Sequence, residues 1–407
     1  MKTKSVSVLV CIGVIVSLIS LVFGYRQNDQ YGSSRGCSIS TNRDLPNPQG
    51  LLLSPYTLQI LYPEVGDKLL LDPGEEIRIA CPGGYLKTKG GKRHEKNIVK
   101  CKTGNEFQLE DEVGPLYEFQ CSDLPTSILK RTGLCSLNKT QLTAGFQVLN
   151  QFIPMIEICF DELRLRTLYT KHTITPDIQG RQINFPRKFF VEDEFFKNVS
   201  VSRIYSKNRQ TQIISEILQS RDLLEKYAGD DNIARGHLTP KGDFIYGAEQ
   251  MATFYYVNAA PQWHKFNAGN WNDIEESVRR LAIKRKLALT VYTGSYGVVY
   301  YPDKNNINRG IYLAKDKKNQ YIFPVPNLFW KVVHEPRTQA GIALVGHNNL
   351  YWVNETDILC PDVSSQVPWL SWERTNVKKG FAYACEVDTF RRKIGYLPKF
   401  TVSKLLV

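Results

Sequence analysis

Eight of the nine cysteines in this chain lie beyond its apolar opening run, and that placement constrains the fold more than any other feature. The chain begins with Lys2 and Lys4, continues into VSVLVCIGVIVSLISLVF and breaks at Gly24 before the polar YRQNDQYGSS. A short basic start, an apolar stretch and small residues at the break are the pattern of a secretory leader, so residues 1–24 are expected to be removed. The competing expectation is a retained N-terminal anchor, because the run approaches the length of a membrane span. Cys11 falls inside the leader. Cys37, Cys81, Cys101, Cys121, Cys135, Cys159, Cys360 and Cys385 remain, an even set that in an oxidising compartment is expected to form four disulfides. Roughly a hundred pairings are open to it. None of these cysteines has the CxxC spacing of a zinc ribbon. Sequons at Asn138, Asn198 and Asn354 suit a secreted, extracellular glycoprotein.

The chain beyond the leader is longer than one ordinary domain, so two units are expected: residues 25–135 and residues 136–407. From about 50 to 125, short apolar runs such as LLLSPYTLQILY, EIRIAC and NIVKC alternate with Gly, Pro and Asp. That spacing reads as a small, cysteine-stapled β-rich module. The later part holds longer strand-like runs (LRTLYTKHTIT, LALTVYTG, LFWKVVHE, AGIALV) and one well-marked helix, expected over 272–286. There Ile274, Val278, Leu281 and Ala282 recur at helical spacing on one stripe, with Glu275, Arg279 and Lys286 off it. The fold class is therefore α+β. The net charge of +12, or +10 without Lys2 and Lys4, favours a polyanionic partner without choosing among nucleic acid, acidic glycan and membrane surface.

Chemistry concentrates in three nearby stretches: ARGHLTPKGDF, NAAPQWHKFNAGNW and IEESVRR. His237 in the first is either a general base or a polar residue in a sharp loop. Asn258, Gln262, Asn267, Asn270 and Asn272 in the second are either turn formers or a source of neutral oxygen ligands for a hard cation. Asn272 to Glu275 also fits a helix capping box, with Arg279 as an ordinary i+4 ion-pair partner.

Taken as an ordered set, R-G-H-L-x-P, then N-x-x-P-Q-x-x-x-x-N-x-G-x-W-x-x-x-E, then an arginine one turn on, these residues resemble the DNA/RNA non-specific endonucleases. VYTGSYG and VPNLFWKVV resemble that family's later strands, and the likeness covers roughly 155–400. It implies a ββα-metal nuclease core with a mixed or antiparallel sheet and flanking helices. A cysteine-containing extension behind a leader is similar to that of the secreted arthropod double-stranded ribonucleases of gut and body fluid. Many family members carry Asp where this chain has Ala234, which puts the tuning of the neighbouring histidine in doubt.

The resemblance implies a role for each residue. His237 takes a proton from the attacking water, and Asn267 binds the metal, Mg2+ with Mn2+ as a substitute. Glu275 holds metal-bound waters, Arg279 and Arg235 reach phosphate, and Asn258 organises the loop. A further upstream arginine is expected at the substrate. Arg181, Arg187, Arg203 and Arg209 are candidates, with Arg181 the expected substrate contact. The substrates implied are double-stranded RNA, DNA and single-stranded RNA, cut with little sequence preference to leave 5′-phosphates. The rival expectation is a catalytically weak secreted nucleic-acid-binding protein on the same fold. A membrane contact after leader removal is not expected, and the sequence is silent on oligomeric state.

Overall fold

The computed structural model describes residues 36–196, 199–351, 353 and 355–407. The leader, Cys11, and the sequon asparagines Asn198 and Asn354 lie outside the described residues, whereas Asn138 sits on an exposed turn. The described chain forms one compact unit.

At its centre is a nine-stranded sheet. Its main path runs through β1 (Ile128–Cys135), β2 (Lys139–Val148), β3 (Gln151–Asp161) and β4 (Arg166–Ile174). The chain then leaves the sheet to build the hairpin β5 (Ile233–His237) and β6 (Ala259–Trp263) before returning. It re-enters as β7 (Leu289–Tyr296), which pairs with β4, and continues through β8 (Leu328–Glu335), β9 (Ala340–His347) and β10 (Ala382–Cys385). Every pair along that path is antiparallel, while Lys404–Leu405 adds to β9 in parallel, so the sheet is mixed. The fold class is α+β, as expected.

Strand β8 shows why the sheet can be covered on both sides. Successive side chains of a strand point to opposite faces. Phe329 and Val333 join one core, and Leu328, Trp330 and Val332 join the other. Against the first face packs helix α1 (Asn272–Arg285), through Ile274, Val278, Leu281 and Ala282. The helix begins where the periodicity placed it and ends one residue earlier, because Lys286 turns into the left-handed region (φ 53°).

Residues from 36 to 127 form three small sheets, of two, three and five strands. Four disulfides close as Cys37–Cys101, Cys81–Cys121, Cys135–Cys159 and Cys360–Cys385. The first two staple the small sheets, and the third ties β1 to β3 within the large sheet. The small sheets do not keep a core to themselves. Leu51, Leu53 and Leu58 pack with Phe146, Val148, Ile153, Ala248 and Ala252. Among the described residues no helix is long and apolar enough to cross a membrane.

Candidate active site

The hairpin β5–β6 delivers His237 opposite Ala259 and Ala234 opposite Gln262. Gly236 is needed there because a Cβ would lie 2.1 Å from the side-chain oxygen of Gln262. After β6 the chain makes a π-turn, Asn267–Trp271, that runs directly into α1. Strand, strand and helix thus converge, with His237 at the end of the first strand and Asn267 at the turn.

This turn rules out the capping-box reading of Glu275. The capping box does not form: Trp271 occupies the position before the helix and no side chain caps it. Helical backbone already precedes Asn272, so Glu275 has no free N-terminal amide to reach back to. Glu275 instead lines a cleft of about 1130 Å3 together with His237, Asn267, Arg279, Arg235 and Arg181. Arg187, Lys188 and Lys241 add positive charge to the same cleft. Arg203 and Arg209 are absent from its lining, which narrows the four upstream arginines to Arg181 and Arg187.

His237 stands between two aromatic rings, Phe190 and Phe254, each 4.8 Å away. Its Nε2 is buried without a hydrogen-bond partner. Burial, with Arg187 and Lys241 adding positive charge, pushes the imidazole down to about 3, so the ring is neutral near pH 7. Asn258 braces it from behind the cleft. Its backbone oxygen accepts from Leu238 N (2.9 Å), its side-chain oxygen from Thr239 N (2.9 Å), and its Nδ2 donates to Thr239 O and Thr253 O.

Arg279 is placed differently from the surface pair its spacing implied. It is 3% exposed, and its guanidinium donates to Asp243 (2.5 Å) and Glu276 (2.8 Å). Asp243 also meets His172 Nε2 at 2.8 Å. Burial works against the Asp243 carboxylate, but Arg279 and His172 outweigh it and hold it at about 2. Burial pushes Glu275 up to about 7 even though Lys331 and Arg279 favour its charged form. Lys331, 1% exposed on β8, donates to Thr293 (2.7 Å). Arg235 packs over the rings of Tyr205 and Tyr256 and donates to the Tyr256 hydroxyl (3.1 Å).

Sequence reasoning missed Asp243, His172 and Lys331. Asp243 was visible inside the same stretch as His237, and the need of a buried arginine for a carboxylate is the signal that finds it. Among the described residues no group of three His, Cys, Asp or Glu could hold a metal ion. Asn267 and Glu275 both line the cleft, and Asn272 and Glu276 also line it. That sparse oxygen set fits a hard divalent cation that keeps most of its waters.

A family model for DNA/RNA non-specific endonucleases matches residues 137–390. The fold and the site define a nuclease of the hydrolase class. The chain belongs to the DNA/RNA non-specific endonuclease family, whose members are generally divalent-metal dependent and act on nucleic acid. It is 28% identical over 404 residues to the salivary endonuclease of Lutzomyia longipalpis, covering 95% of this chain and 90% of that one. Salivary protein Tsal2A of Glossina morsitans morsitans is 24% identical over 378 residues, covering 89% of this chain and 92% of that one. A chain of the solved EndoG/EndoGI complex aligns with 62% of this chain and 87% of its own length, at 17% identity and a TM-score of 0.38.

Proposed function

We propose that this endonuclease is secreted and hydrolyses double-stranded RNA, with DNA and single-stranded RNA as further substrates, using Mg2+. The observation that carries the mechanism is the buried, unpartnered Nε2 of His237 in the cleft that also holds Asn267 and Glu275. A lone pair without a partner on a neutral ring is what proton removal from water requires.

His237 acts as the general base, its ring held by Phe190 and Phe254 and its following backbone by Asn258. Asn267 would hold the cation directly, and Glu275 would accept hydrogen bonds from the waters around it. When bound, the cation supplies charge neutralisation at the phosphate and the leaving oxygen. Arg279 shapes the cleft's floor through its pairs with Asp243 and Glu276, and adds positive charge beneath the phosphate. Arg181 and Arg187 meet the neighbouring phosphates, and Arg235, stacked on Tyr205 and Tyr256, braces β5. Loss of the 3′ oxygen leaves a 5′-phosphate. Contacts of this kind read the backbone and not the bases, so cleavage has little sequence preference. The four disulfides, the leader pattern and the salivary relatives support secretion, and Mn2+ is expected to replace Mg2+.

The test is to incubate the purified protein with long double-stranded RNA, plasmid DNA and single-stranded RNA, with Mg2+, with Mn2+ or with EDTA. Expected are metal-dependent cleavage and 5′-phosphate ends, fastest on duplex RNA. Binding without cleavage in every metal condition would overturn the enzyme reading in favour of a nucleic-acid-binding protein. Faster cleavage of DNA would overturn the substrate preference alone.

A further inference from the structure

One wall of the cleft is a strap, residues 181–191, that crosses from the small sheets to the catalytic hairpin. Its middle is exposed: Arg187, Lys188 and Phe189 have no cover, and Phe189 is 95% exposed. An extended segment with so little burial has no packing of its own to fix it. Its position depends on what holds its ends.

The far end is held by the nuclease core. Val191 N donates to Phe254 O (2.8 Å), Tyr256 N donates to Val191 O (3.3 Å), and Phe190 packs on His237. Lys241 Nζ donates to Phe185 O part-way along. The near end is held from two sides. On the core side Ile245 O accepts from Gln182 N (2.8 Å), and Gln250 Nε2 donates to Gln182 O (3.0 Å). The other side is the N-terminal segment. Thr41 Oγ1 donates to Gly180 O (2.6 Å), and Asn42 Oδ1 accepts from Ile183 N (2.9 Å). Gln49, itself buried, donates through Nε2 to Gln182 Oε1 (2.8 Å). The approach is tight enough that a Cβ on Gly180 would lie 2.3 Å from Pro63 and 2.5 Å from Gly66 O.

We propose that the N-terminal segment is a positioning element of the nuclease, with Thr41, Asn42 and Gln49 setting the strap that presents Arg187, Lys188 and Phe189 to nucleic acid. This rests on the reading of the cleft as the substrate site. His237, Asn267 and Glu275 lie on the hairpin, the turn and α1, not on the strap's near end. Loosening that end therefore leaves the reacting groups in place and raises the entropy lost when the strap is ordered on substrate. The effect falls on substrate capture, and on the number of phosphates contacted, more than on turnover.

The test uses the full-length protein and plasmid DNA with Mg2+. Asn42 is exposed, so Asn42→Ala removes the bond to Ile183 N without opening the core. Thr41→Val and the Thr41→Val/Asn42→Ala pair are measured beside it. Expected is a rise in KM of about fivefold to tenfold in the double variant, the net worth of one or two hydrogen bonds, with kcat within about twofold. The slope of log(kcat/KM) against log salt should become shallower, and Asn42→Asp, which keeps the acceptor for Ile183 N, should return KM toward the parent value. An unchanged KM and salt slope in a folded double variant would overturn the proposal, as would a fall in kcat with KM unmoved. Failure of the parent protein to cut any nucleic acid would instead overturn the function on which the proposal rests.

Discussion

His237 and Arg279 face the same cleft and have opposite surroundings. His237 has two aromatic rings beside it and an Nε2 with nothing to bond. Arg279 has two carboxylates against its guanidinium, and one of these is shared with His172. On the proposed function a proton acceptor has to arrive uncharged and without a partner, and the apolar setting suits both. A buried cation has to arrive already paired, because its desolvation is otherwise uncompensated. On the proposed function, the first arrangement leaves the imidazole open to react and the second locks the guanidinium in place.

That contrast breaks most visibly at His237. His237→Ala is expected to lower kcat by about 10²–10⁴-fold while the melting temperature stays near that of the parent, measured on duplex RNA with Mg2+. A variant that cuts at the normal rate would show that the free lone pair is incidental. On the other side the order of effects should reverse. Asp243→Ala leaves buried Arg279 with Glu276 alone and His172 without its carboxylate, and denaturant titration should read a loss of about 3–5 kcal/mol. A cost under about 1 kcal/mol would mean that the ion cluster is relieved by water. Asn258→Ala lies between the two regimes. Its side chain makes three hydrogen bonds to the backbone behind His237, so a stability loss of about 1–3 kcal/mol should come with a fall in kcat. Loss of stability with kcat intact would separate the brace from the base.

A pH-dependent effect sharpens the comparison away from the cleft. Glu249 is buried, accepting from Tyr62 (2.7 Å) and Tyr246 N (2.9 Å), and burial pushes its carboxyl up to about 7 from an ordinary 4.5. Between those values the folded state holds a proton that the unfolded chain has released, so Glu249 costs stability increasingly as pH rises through that window. Glu249→Gln should therefore gain on the parent from about pH 4.5 to 7 and hold its lead above, in melting curves taken across that range. A constant difference at every pH would assign the titration elsewhere.

Short-range features were the legible ones. The stripe of Ile274, Val278, Leu281 and Ala282 set the helix to within a residue, and β8 and β9 lie on their apolar runs, because periodicity within one element needs no partner. The clustering of His237, Asn267, Glu275 and Arg279 was legible through family resemblance, and the cleft now holds all four. Illegible were features that depend on distant residues. Asp243 meets His172 from β4, Lys331 on β8 favours the charged form of Glu275, and residues 41–49 meet 180–183. The capping box misled because Asn272 to Glu275 is judged locally, whereas the π-turn ahead of it is set by contacts such as Gly269 against Lys379. Disulfide pairing was illegible for the same reason.

The packing of Leu51, Leu53 and Leu58 among Phe146, Val148 and Ile153 has a calorimetric consequence. Two regions that share apolar side chains cannot melt in succession without the first to go exposing the second's interior to water. Heating should give a single cooperative endotherm for the whole folded chain, with its enthalpy growing with the full number of ordered residues and not with either part alone.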